Sequence, residues 1–192
     1  MIILVYGLVL FLGIHSLAIV APATRDRLAA RLGEWPWKAL FSVIALAGFV
    51  LIVMGFREAR LEPVWLYVPP LWLRHVALVL LIPVFPLLLA AYLPGRIRTF
   101  ARNPLLIATK AWALAHLLAN GRLVDVVLFG SFLLWAGAYR LSLLRRTPRS
   151  TPALPATPMN DFIVIGAGLA LYAWFIYGLH AALFGVSPLV LN

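Results

Sequence analysis

MIILVYGLVLFLGIHSLAIVAPA, residues 1–23, decides the fold class. Its apolar run is about 20 residues long, enough to cross the hydrocarbon core of a bilayer and longer than the core of a cleaved signal peptide. No basic region precedes it, so the reading is a retained first membrane helix. One titratable ring, His15, lies inside it. Such a ring is costly in hydrocarbon and is kept chiefly where it faces a bundle interior and finds a partner.

The pattern recurs along the chain. Apolar runs at 37–56, 71–93, 104–119, 123–139 and 161–184 follow the first at 2–21. The 192 residues are 64% hydrophobic and 11% charged, about half the charge of an ordinary soluble domain. The expectation is all-α: a polytopic integral membrane helix bundle of six transmembrane helices, with residues 1–192 as a single domain. The fourth run is short, and the tight turn Asn120-Gly121-Arg122 joins it to the fifth. Five spans plus a re-entrant hairpin is the alternative. Pro69-Pro70 starts the third run, and Pro83 and Pro86 should kink it. Residues 147–158, TPRSTPALPATP, should form an extended, solvated cytoplasmic linker. Asn160-Asp161 then offers a cap for the last helix.

The formal charge is +10, carried by 16 lysines and arginines against 6 acids. Only Arg57, Arg60, Arg74 and Arg122 fall in or beside even-numbered loops. The other basic residues fall in or beside odd-numbered ones, which puts those loops in the cytoplasm and both termini on the non-cytoplasmic side. Trp35, Trp37, Trp65 and Trp72 mark span ends, as interfacial belts require. The charge therefore reads as topology signal and contact with membrane lipid, not as a nucleic-acid surface. Cysteine is absent, which excludes disulfides, iron–sulfur clusters and thiolate ligation. Every acidic residue lies in a loop or at a span end, which argues against ion-coupled transport through a carboxylate at depth.

All four histidines fall in or at the edge of the apolar runs. His15 shares a helix face with Leu8, Phe11, Leu12 and Ile19. His116 continues a polar and aromatic stripe made with Thr109, Trp112 and Asn120. A Trp four residues before a His suits the flank of a flat cofactor, and ordinary core packing also explains it. His75 and His180 sit near the non-cytoplasmic ends of their runs, where an interfacial role competes. Lys110 either snorkels to the surface or meets an acidic group of a ligand. Two imidazoles on separate helices, with no thiolate and no carboxylate nearby, are the ligand set of b-type haem. Zinc usually needs a third protein ligand. The candidate metal ligands are His15 and His116, with His180 and His75 as second choices. Trp112, Lys110 and Arg102 are candidates for seating the cofactor.

Several blocks are familiar together: Gly7-Leu8-Val9-Leu10-Phe11-Leu12-Gly13-Ile14-His15-Ser16, Arg102-Asn103-Pro104-Leu105-Leu106, Lys110-Ala111-Trp112-Ala113-Leu114-Ala115-His116-Leu117-Leu118-Ala119-Asn120-Gly121, Phe129-Gly130-Ser131-Phe132 and Leu179-His180-Ala181-Ala182-Leu183-Phe184-Gly185-Val186-Ser187-Pro188. They resemble the NnrU family over the whole length. The resemblance implies a multi-pass protein of the bacterial inner (plasma) membrane, linked to nitrite and nitric oxide reduction (denitrification). It also implies kinship with zeta-carotene isomerase, a haem b enzyme that isomerises a central cis double bond of a polyene. His15 and His116 are the positions that carry over as haem ligands. Partners implied are a lipid-soluble polyene, or a respiratory or denitrification complex that the chain would serve as a non-enzymatic accessory factor. Relatives often read Arg-His-Pro where this chain has Arg102-Asn103-Pro104. Asn is not a usual axial ligand or acid–base, so haem binding without isomerisation is one consequence. Arg-His-Pro also resembles isoprenylcysteine methyltransferases, whose further motifs for the methyl donor are absent here.

Overall fold

A computed structural model describes residues 1–145 and 153–189. They form helices α1 (Ile2–Val20), α2 (Pro22–Leu32), α3 (Glu34–Ala59), α4 (Leu71–Leu81), α5 (Val84–Ala90), α6 (Arg96–Ala101), α7 (Pro104–Ala119), α8 (Leu123–Ser142), α9 (Met159–Trp174) and α10 (His180–Phe184). A π-helical turn, Phe175–Leu179, joins the last two. No β-strand occurs among the described residues. Five helical stretches are long and apolar enough to cross a membrane: Ile2–Val20, Glu34–Ala59, Leu71–Ala90, Leu123–Ser142 and Met159–Phe184. Helix α7 is apolar too, but its 16 residues rise only about 24 Å. The helices group into two compact units, α1–α3 with α8, and α4–α7 with α9 and α10.

In the first unit, α1 and α3 run antiparallel along a glycine seam. Gly55 lies against the backbone of Leu4, Gly7 against that of Ile52, and Gly48 against that of Phe11. A Cβ at Gly48 would stand 2.7 Å from the Phe11 nitrogen. Small residues let membrane helices approach closely where lipid supplies no hydrophobic drive between them. Helix α8 packs on both. The chain returns to α8 through a locked turn. Leu66 and Tyr67 donate their backbone N–H groups to the Gly121 carbonyl (2.8 and 3.2 Å), and Leu123 donates to Val64 (2.8 Å). The Tyr67 hydroxyl donates to the Asn120 carbonyl at 2.7 Å. Gly121 has the Tyr67 carbonyl so close that a side chain there would collide with it. Burial, and after it the Asp125 carboxylate, hold the Tyr67 hydroxyl above the usual tyrosine range, so it stays a donor. Asp125 itself is buried in the first turn of α8 and accepts the backbone N–H of Arg122.

In the second unit, the expected proline kink divides α4 from α5 at Pro83. The N–H of Ile82 turns to the Val79 carbonyl (3.2 Å), which leaves the Leu78 carbonyl to find another donor. It accepts from the Tyr172 hydroxyl of α9 at 2.8 Å. In hydrocarbon a freed backbone group must be satisfied by protein. Tyr172→Phe is therefore expected to cost about 1–3 kcal/mol, read as a lower unfolding temperature in detergent.

The prediction for Asn160-Asp161 needs correcting. Neither side chain caps its own helix; the residue at the start of α9 is Pro158, with no side-chain cap. The Asn160 amide donates instead to the carbonyls of Pro94 (2.9 Å) and Pro155 (3.0 Å) and accepts from Thr157 (2.8 Å). The Asp161 carboxylate accepts the backbone N–H groups of Arg96 (2.8 Å) and Ile97 (3.1 Å). It thus closes the start of α6, 65 residues away in sequence. A tertiary partner won over the local cap because α6 has no capping side chain of its own. Asp161→Ala is expected to cost about 2 kcal/mol, and Asp161→Asn less, because the amide oxygen still accepts one bond. Thermal unfolding of the two variants checks this order. Of the proline-rich linker, 147–152 lie outside the described residues. Residues 153–158 are exposed, as expected, yet tethered where Leu154 donates to the Tyr92 carbonyl at 2.9 Å.

Two elements have no counterpart among the expected spans. The loops at 22–32 and 96–101 are helices, α2 and α6. Pro22 opens α2, where its fixed φ suits a first helical turn, and Gly33 (φ 88°) closes it in a conformation that favours glycine.

Candidate functional site

Three of the four imidazoles share one arrangement. The Nδ1–H of His15 donates to the Phe11 carbonyl at 2.6 Å, that of His116 to the Trp112 carbonyl at 2.8 Å, and that of His180 to the Val186 carbonyl at 2.7 Å. In α1 and α7 the acceptor is the carbonyl four residues earlier. A neutral imidazole that donates from Nδ1 carries its lone pair on Nε2, and a backbone carbonyl on the far nitrogen is the usual orienting contact of a metal-ligating histidine. The same bond also satisfies a ring with no ligand.

The surroundings differ. His15 continues the α1–α3 seam one helical turn beyond Phe11, where larger side chains replace the glycines. Phe11, Phe41 and Trp135 surround it, with ring centroids 4.3, 5.0 and 6.2 Å away. The Trp135 indole donates to the Ser16 hydroxyl at 3.1 Å. His15 is thus set among aromatic rings from three helices of the first unit. The sequence reading placed Phe11 on its face, but Phe41 and Trp135 come from other helices and no spacing rule reaches them.

His116, His180 and His75 belong to the second unit. Trp112 and His116 lie with centroids 5.4 Å apart and planes tilted by 53°, as the four-residue spacing predicts. His180 follows the π-helical turn and meets Phe175 at 5.7 Å and Phe184 at 5.0 Å. Single π-turns inside α-helices are frequent at functional sites because the inserted residue re-aims the side chains after it. His116 and His180 both belong to this unit. His75 stands exposed on α4, as an interfacial ring would.

Lys110 is half-buried on α7. Thr109, from the same stripe, turns its hydroxyl back to the Leu105 carbonyl at 2.8 Å. Arg102 is exposed and holds φ 58°, ψ −46°. The Asn103 N–H reaches back to the Ala101 carbonyl at 2.6 Å, so Arg102 is the centre of a γ-turn, a rare and strained backbone form for a side-chain-bearing residue. The strain falls on the block Arg102-Asn103-Pro104. No cluster of three or more His, Cys, Asp or Glu suited to a metal ion occurs among the described residues.

No curated protein and no solved structure matches the chain. Residues 3–188 match the family described as NnrU protein. With that match over nearly the whole length, the chain belongs to the NnrU family.

Proposed function

We propose that this membrane protein would hold a b-type haem through His116, in the service of nitrogen-oxide metabolism or of a zeta-carotene-isomerase-like double-bond isomerisation. The observation that carries the reading is the oriented imidazole: His116 donates from Nδ1 to Trp112 beside the indole ring, in a chain without cysteine. The family resemblance supplies His15 as the second ligand. His180, in the same compact unit as His116, is the second choice. When bound, haem would supply an iron for redox-linked or Lewis-acid chemistry. The chain's own residues would orient the imidazoles through backbone carbonyls, flank the ring with Trp112, and exclude water with apolar helix faces. Lys110 and Arg102 are proposed to meet the acidic edge of the cofactor.

A second reading has its own support. The bonds to Phe11, Trp112 and Val186 satisfy the histidines structurally, as a non-enzymatic accessory factor of a respiratory or denitrification complex would require. Pyridine haemochrome analysis of detergent-purified protein separates the two. About one haem b per chain supports the first reading, and haem-free protein that co-purifies with a reductase supports the second.

A further inference from the structure

Each compact unit carries one short basic helix between two apolar stretches, and each presents apolar side chains away from the protein. Helix α2 is tied to α1 by Ala21 and to α3 by Gly33, which confines it to the mouth of the α1–α3 hairpin, where the spans leave the membrane. None of its residues is buried. Leu28 and Leu32, one turn apart, are exposed, and Trp35 just beyond them is 79% exposed. The acids nearby are already matched. Asp26 pairs with Arg25 at 3.0 Å, and Glu34 with Lys38 at 2.6 Å. Arg25 also lies over the Trp37 ring. Arg27 and Arg31, four residues apart on one face, are left as net positive charge on an exposed surface.

Helix α6 repeats the arrangement. It brings Arg96 and Arg98, with Arg102 at its end, and no acid within its span. The neighbouring Asp161 is taken up by backbone N–H groups. Phe100 is 93% exposed.

Arginines beside outward-facing Leu, Trp and Phe side chains, at the ends of membrane spans, match the layered chemistry of a lipid surface: phosphate above, acyl chain below. A soluble acidic partner would account for the charge but not for Phe100. We infer that α2 and α6 are interfacial anchors that bind the headgroups of anionic phospholipids, with Arg27 and Arg31 on α2 and Arg96 and Arg98 on α6 at the phosphates.

The test uses the full chain in detergent, with bound lipid counted by native mass spectrometry during titration with phosphatidylglycerol or phosphatidylcholine. Phosphatidylglycerol should bind at least tenfold more tightly, and the preference should shrink as salt is raised. Losing one surface arginine should weaken its binding about fivefold, so R27Q/R31Q should weaken it roughly 30-fold at that site. R27K/R31K should retain binding, which separates charge from fold; circular dichroism monitors helix content. R96Q/R98Q should act on the second site in the same way. Equal binding of the two lipids, or glutamine variants that bind phosphatidylglycerol like the parent, would overturn the inference. So would full displacement of the lipid by millimolar glycerol 3-phosphate, which would show that the acyl chains play no part.

Discussion

Gly55→Leu is expected to unfold the first unit or to lower its melting temperature more than any other substitution named here. A Cβ at position 55 meets the backbone of Leu4, not a side chain that could swing away. The two helices must then separate, and the contacts at Gly7–Ile52 and Gly48–Phe11 on the same seam are lost with it. Overpacking a tight interface costs about 1–3 kcal/mol and sometimes more. Because three close approaches share this seam, the expected cost lies at or above the top of that range. Gly13, on the partner helix α1, supplies the control. Nothing lies within 4 Å of a Cβ built there, so Gly13→Leu should change stability little. Scanning fluorimetry and size-exclusion profiles in detergent read both. A Gly55→Leu protein as stable as the parent would contradict the close-packed hairpin.

His116→Ala is the second large effect. If the ring holds haem iron, its removal should lower the Soret absorbance at least tenfold at equal protein. His75→Ala should leave the band intact, because that ring stands exposed on α4. His15→Ala and His180→Ala then identify the second ligand: the one whose loss converts a six-coordinate spectrum to a five-coordinate one. Trp112→Ala removes the ring beside His116 and leaves the carbonyl that the imidazole bonds to. It should therefore shift or weaken the band without abolishing it.

The spans were legible because a run of apolar residues and the thickness of a bilayer leave few other structures. The break at Pro83 was legible for the same local reason: a residue without an N–H cannot continue the helix ladder. What escaped was tertiary. Helices α2 and α6 read as charged loops because their charge hides their period, although Pro22 and Gly33 were signals of a helix start and stop. Asn160-Asp161 looked like a local cap, yet both side chains serve the 94–97 segment. At the histidines, the pairing of His116 with Trp112 followed from helical spacing. The aromatic setting of His15 did not, because Phe41 and Trp135 approach from other helices. The strained Arg102 could not be read from its type, since arginine gives no sign of a positive φ.

The most direct measurement is the absorption spectrum of the detergent-purified chain, oxidised and then reduced with dithionite, beside its His116→Ala variant. The haem reading predicts a Soret band that sharpens and shifts on reduction, with α and β bands of a b-type haem, all lost in the variant. A colourless protein after expression with ample haem, or a variant that keeps the parent's spectrum, would contradict it.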